Sequence, residues 1–142
     1  MRDALLAEID AETLYRILRL RSEVFVVEQH CVYLDQDGRD AETDARQLWL
    51  ERDGEVVATL RLLVDADGAR RIGRVATAAS ARGEGLAAEL MRRALKLAAG
   101  HVMVLEAQTY LVDWYRRFGF EPCGPDYVED GIPHTPMRRP AG

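Results

Sequence analysis

The chain has 142 residues, 48% of them hydrophobic and 30% charged, which suits one domain with a single sizeable core. Nineteen basic against 24 acidic residues give a net charge of −5, which argues against nucleic acid as the main partner and mildly favours a cationic one. No apolar run approaches the ~20 residues that span a bilayer, so no membrane role is expected.

The first ten residues, MRDALLAEID, carry acids inside a short apolar run and do not read as a signal peptide. Cys31 and Cys123 are too few for a disulfide framework and have no metal-ligand spacing, so a reducing cytoplasm and no metal are the expectation. Residues 4–9 (ALLAEI) fit an edge strand or a helix start, with the strand preferred. Asp10 stands where an N-cap belongs. Leu14, Ile17, Leu18 and Arg21 then recur at helical spacing, which predicts an amphipathic helix over 11–22. In Val24-Phe25-Val26-Val27, helix and strand compete.

Periodicity collapses between residues 29 and 46, where Asp35, Asp37, Asp40, Glu42 and Asp44 crowd a polar loop. Its DQDGRD run lacks the further acids and closing glutamate of a calcium loop. A solvated acidic loop and an attractor for a cationic substrate are evenly matched, with Asp35 and Asp37 the candidates for the second role. Gln47–Glu51 and Glu55–Val64 flank Arg52-Asp53-Gly54 as a hairpin would, and Ala66-Asp67-Gly68 turns the chain into a third strand over 70–77.

The segment Arg82-Gly83-Glu84-Gly85-Leu86-Ala87 then opens a helix over 84–98, closed by Gly100. A strand leading through glycines into a helix makes an anion site: first-turn amides lack partners, the helix dipole is positive there, and Arg82 adds a fixed charge. HVMVLE, 101–106, reads as a strand buried on both faces and parallel to its predecessor. A short helix over 111–118 ends at Gly119, and two strands flank Asp130-Gly131-Ile132-Pro133.

Neither GxxxxGK[ST] nor GxGxxG is present. Arg82, Gly85 and Ala87 instead form R-x-x-G-x-A, which resembles the pyrophosphate motif of the GCN5-related N-acetyltransferase (GNAT) superfamily. Trp114-Tyr115-Arg116-Arg117-Phe118-Gly119-Phe120 is similar to that family's F/W-Y-x-x-x-G-F signature. Arg21–Gln29 and Tyr127–His134 resemble its ElaA-like branch. The resemblance covers nearly the whole chain and implies one α/β (α+β) domain over 1–142. Its central sheet would be mixed and mostly antiparallel, with helices on both faces and a splayed parallel strand pair.

The resemblance implies acetyl transfer from acetyl-CoA to a primary amine by direct attack. Coenzyme A would lie on Val75, Ala76 and Thr77 and on the amides of Arg82, Gly83, Glu84, Gly85, Leu86 and Ala87, with Gln108 also in contact. Tyr115 would protonate the departing thiolate, Trp114 and Phe118 would belong to the core, and Glu106 ranks first as base. Glu28 and His134 would face the amine. Two alternatives stay open: a non-catalytic acyl-CoA-binding module, and an acyltransferase with another donor, similar to acyl-homoserine-lactone synthases. The acceptor, a small molecule or a peptide amine, is not specified, and neither is the oligomeric state, although members of the family often form homodimers.

Overall fold

Two Asp-Gly pairs make two tight hairpins of the sheet. Asp53-Gly54 joins β2 (Arg46–Arg52) to β3 (Glu55–Val64), and Asp130-Gly131 joins β7 (Tyr127–Glu129) to β8 (Ile132–Arg139). All four residues have positive φ, between 52° and 77°, as a two-residue turn between twisted strands requires. The structure, a computed structural model, describes residues 1–142.

With β1 (Arg2–Leu5), β4 (Arg70–Thr77), β5 (Met103–Gln108) and β6 (Glu121–Pro122), the strands form one sheet in the order β1-β2-β3-β4-β5-β8-β6, with β7 on β8. Only β4 and β5 pair in parallel. The first strand lies earlier than the 4–9 expected, because residues 6–8 close a 3₁₀ turn in which Glu8 accepts from the Leu5 amide.

Asp10 caps α1 (Ala11–Arg21) by accepting from the Thr13 amide at 2.7 Å. The competition at residues 24–27 resolves as helix of an unusual kind: Ser22–Glu28 runs on from α1 as a π-helix. Its wider turn buries Val24 and Phe25 and leaves Val27 exposed. The helix after the glycine turn, α2 (Leu86–Leu97), begins two residues later than expected, with Gly85 as its N-cap. The predicted 111–118 helix shrinks to α3 (Val112–Arg116) behind a 3₁₀ turn, and the C-terminal pair of strands gains β6.

Helices cover both faces. Strand alternation sends Leu48 and Leu50 of β2 to a core shared with Leu90, Met91 and Ala94 of α2, and sends Trp49 to a smaller cluster with Ile17 and Leu20 of α1. Val56–Leu63 of β3 is buried without a break, as befits a central strand between two layers. On β5, Met103, Leu105 and Ala107 enter the α2-side core while Glu106 is exposed. A strand buried on both faces is therefore corrected to one buried on a single face, because its other side meets a cleft.

Candidate active site

The cleft begins with one extra residue. Along β3, Leu60 alone separates Thr59 from Arg61; the partners of those two on β4, Ala76 and Gly73, are separated by both Arg74 and Val75. The resulting bulge puts Arg74 at φ +50°, a left-handed conformation that costs a non-glycine residue about 1–2 kcal/mol. From Ile72 on, just ahead of the bulge, β4 no longer follows β5: the parallel ladder is limited to Arg70–Met103 and Arg71–Val104. The strands splay around a cleft of about 1090 Å³, lined by Ile72–Thr77 on one side and by Leu105, Glu106 and Gln108 on the other.

At one end of the cleft lies the glycine turn. Gly83 and Gly85 have φ of +81° and +76°, and a Cβ on either would meet no atom within 4 Å. No side chain caps the first turn of α2, so its leading amides are left for an outside acceptor. Of the residues expected around coenzyme A, Val75, Ala76, Thr77, Arg82, Gly83, Gly85, Leu86, Ala87 and Gln108 all line the cleft. The Glu84 side chain does not: its carboxylate turns to Arg52, 2.6 Å away, so that residue has only its backbone amide to offer at the turn.

Tyr115 of α3 also lines the cleft, 7% exposed, with its ring held edge-on by Trp114 at 4.9 Å and Phe120 at 6.4 Å between centroids. Burial drives its phenol far above the ordinary tyrosine range, so it keeps its proton at any working pH. Trp114 and Phe118 pack against the α2-side core as expected, and Trp114 reaches the cleft as well.

Glu106 stands on the opposite wall. The Tyr127 hydroxyl donates to its Oε1 at 3.2 Å, and Arg71 Nη1 lies 3.6 Å from its Oε2. Tyr127, whose phenol is pushed up to about 12 chiefly by burial and then by Glu106, stacks on His134 with centroids 5.5 Å apart. His134 Nδ1 lies 2.8 Å from the Ile132 carbonyl, which can only accept. That contact places the proton on Nδ1 and leaves Nε2 as an acceptor. No local sequence signal marks Arg71 or Tyr127 as partners of Glu106, although Tyr127 opens the same ElaA-like segment that contains His134.

A strap formed by the π-helix and its C-cap crosses the cleft. Gln108 Nε2 donates to Gln29 Oε1 at 3.0 Å, and Glu28 takes both terminal nitrogens of Arg82, at 2.6 and 2.7 Å. The Arg82 hydrogen bonds hold the Glu28 carboxyl below its usual range.

The acidic loop has another occupation. Asp35 is 3% exposed and accepts from Arg21 Nε at 2.8 Å and Arg74 Nε at 2.9 Å. Asp37 is gripped by both terminal nitrogens of Arg61, at 2.8 and 2.7 Å, and Asp40 by Arg21 at 2.8 Å. Asp35 as an attractor of a cationic substrate is therefore corrected: it is buried, off the cleft, and neutralised by two arginines. Asp37 reaches the cleft wall with its charge already paired. Among His, Cys, Asp and Glu, no group of three or more is placed to hold a metal ion, and no helix is long and apolar enough to cross a membrane.

Residues 12–140 match the Acetyltransferase (GNAT) domain family. The chain belongs to the GNAT family. Within it, this GNAT chain is 45% identical to a UPF0039 protein of Mycobacterium tuberculosis over 94% of its length and 88% of the relative's. It is 40% identical to Protein ElaA of Escherichia coli, over 94% of this chain and 91% of that one, which places it in the ElaA-like branch. A crystal structure of an acyl-CoA N-acyltransferase from Pseudomonas aeruginosa superposes with a TM-score of 0.93 at 42% identity, over 98% of each chain. The splayed β4–β5 pair and the glycine turn thus sit in a fold whose members transfer acyl groups from acyl-CoA.

Proposed function

We propose that this GNAT protein moves an acetyl group from acetyl-CoA to a primary amine. The observation that carries the reading is the continuity of the open β4 edge, from the Arg74 bulge to the uncapped first turn of α2. An extended pantetheine chain can add to such an edge as a further strand would, and a diphosphate suits unpaired amides at a helix N-terminus. Gly83 and Gly85 leave that approach clear of side chains.

The chain's own groups divide the chemistry. The β4 edge near Thr77 offers amides to polarise a thioester carbonyl as the amine attacks. Tyr115, kept protonated by its burial, gives a proton to the leaving thiolate. An ammonium must first lose a proton, and Glu106 and the free Nε2 of His134 are the acceptors on that side of the cleft. No cysteine nucleophile is required; Cys31 is buried, with its thiol pushed up by desolvation. Two unpaired cysteines suit work in the cytoplasm.

Calorimetry with acetyl-CoA tests the cofactor assignment. Wild type binds, and Gly85→Glu, which places a carboxylate where the diphosphate belongs, does not. A wild type that fails to bind would overturn the reading. With an amine found by screening, Tyr115→Phe lowers kcat about 100-fold and leaves the acetyl-CoA Kd unchanged, whereas an indifferent kcat would point to a binding module.

A further inference from the structure

Arg82 and Glu28 meet across the mouth of the cleft, one from the glycine turn and one from the end of the strap, 54 residues apart in sequence. The pairing is bidentate, and the remaining nitrogen, Nε, donates to the Thr77 carbonyl at 3.2 Å. Every nitrogen of the guanidinium therefore has an acceptor already. The fork that Glu28 occupies is the one with which arginine grips a phosphate, and it takes one anion at a time.

We propose that Glu28 is a built-in competitor for the coenzyme A diphosphate: it holds Arg82 in the free protein and is displaced from it when coenzyme A binds. The proposal rests on the reading of the glycine turn as the coenzyme A site. Two observations make the pair exchangeable. Both side chains are 44% exposed, so water screens their attraction and the pair is weak compared with a buried one. Glu28 also ends a π-helix, and the backbone there is less tightly wound than in an α-helix. Gln29 next to it has its own tie, accepting from Gln108, so the strap's hold on the cleft does not consist of the Glu28 pair alone. The released carboxylate stays on the lining of the same cleft as Glu106 and His134.

Calorimetric titration with free coenzyme A at low salt on four proteins tests this: wild type, Glu28→Gln, Arg82→Gln and the double variant. The expected result is that Glu28→Gln binds about two- to fivefold tighter than wild type and that Arg82→Gln binds more weakly. Adding Glu28→Gln to Arg82→Gln then changes nothing, because there is no guanidinium left to compete for. An unchanged or weaker Kd for Glu28→Gln overturns the proposal, and so does an equal gain with and without Arg82, which is the mark of a general charge effect. In either case a wild type that binds coenzyme A leaves the acetyltransferase reading standing, whereas a wild type that does not bind removes both.

Discussion

Arginine meets carboxylate in two settings here, with similar distances and opposite consequences. Under the acidic loop, Arg21 and Arg61 are 0% and 5% exposed in their side chains and hold Asp35, Asp37 and Asp40 at 2.7–2.8 Å. At the cleft mouth, Arg82 and Glu28 hold each other at 2.6 Å but stand half in water. Charges taken out of water must keep their partners, since a lone buried ion costs several kcal/mol. Charges left in water can change partners at little cost. The buried set is therefore scaffold: through Asp35 it grips Arg74, the residue held at positive φ in the β4 bulge beside the cleft. The exposed pair belongs to the ligand side of the same cleft.

Breaking the buried set should have the largest effect. Asp35→Ala leaves Arg21 and Arg74 without their shared carboxylate and should cost about 3–5 kcal/mol in urea unfolding. A loss under 1 kcal/mol would show that water reaches these arginines. Arg74→Lys keeps the charge but gives up the two-point hold on Asp35 and the stacking over Tyr33 at 5.3 Å, so a loss of about 1–2 kcal/mol is expected from the same measurement.

Acid sharpens the comparison further. Hydrogen bonds from Arg61 hold the Asp37 carboxyl far below its ordinary range. For Asp40, burial is the largest influence and pushes upward, but Arg21, Arg61 and Gln47 together outweigh it and the net direction is down. A carboxyl depressed in the folded state contributes stability that is complete above the unfolded value of about 3.9 and is lost as pH falls below it. Asp37→Asn should therefore flatten the decline in melting temperature below about pH 4, and an unaltered acid limb would remove Asp37 from that account. The smallest effect belongs to the exposed pair: Glu28→Gln should shift stability by less than about 0.5 kcal/mol, even while it alters coenzyme A binding. A large destabilisation would move Glu28 into the scaffold.

What could be read from the chain was whatever a local signal dictates. Asp53-Gly54 marks its hairpin, Asp10 its cap, and Arg82-Gly83-Glu84-Gly85 its turn into α2, because each depends on the conformational range or side-chain reach of a few adjacent residues. Tyr115 was found through a local signature and lies in the cleft. The bulge carried no such signal: its positive φ falls on Arg74 and not on the neighbouring Gly73, so a strand pattern runs through it undisturbed. The acidic loop misled for a related reason. Its charges look free in sequence because their partners stand 14 to 39 residues away, and only the folded sheet brings Arg21, Arg61 and Arg74 to them. The π-helix was equally hidden, since Val24-Phe25-Val26-Val27 suits a strand by composition and becomes helix because Val24 and Phe25 find apolar partners under α1.

The two free thiols stand in opposite settings around the strap. Cys123 is exposed, while Cys31, 5% exposed and tied by its amide to the Phe25 carbonyl at 2.9 Å, sits just past the strap's end. An alkylating reagent should therefore modify them in two phases, the slower at Cys31, whose burial both shields the thiol and pushes its pKa up, with the Cys123 phase as an internal standard.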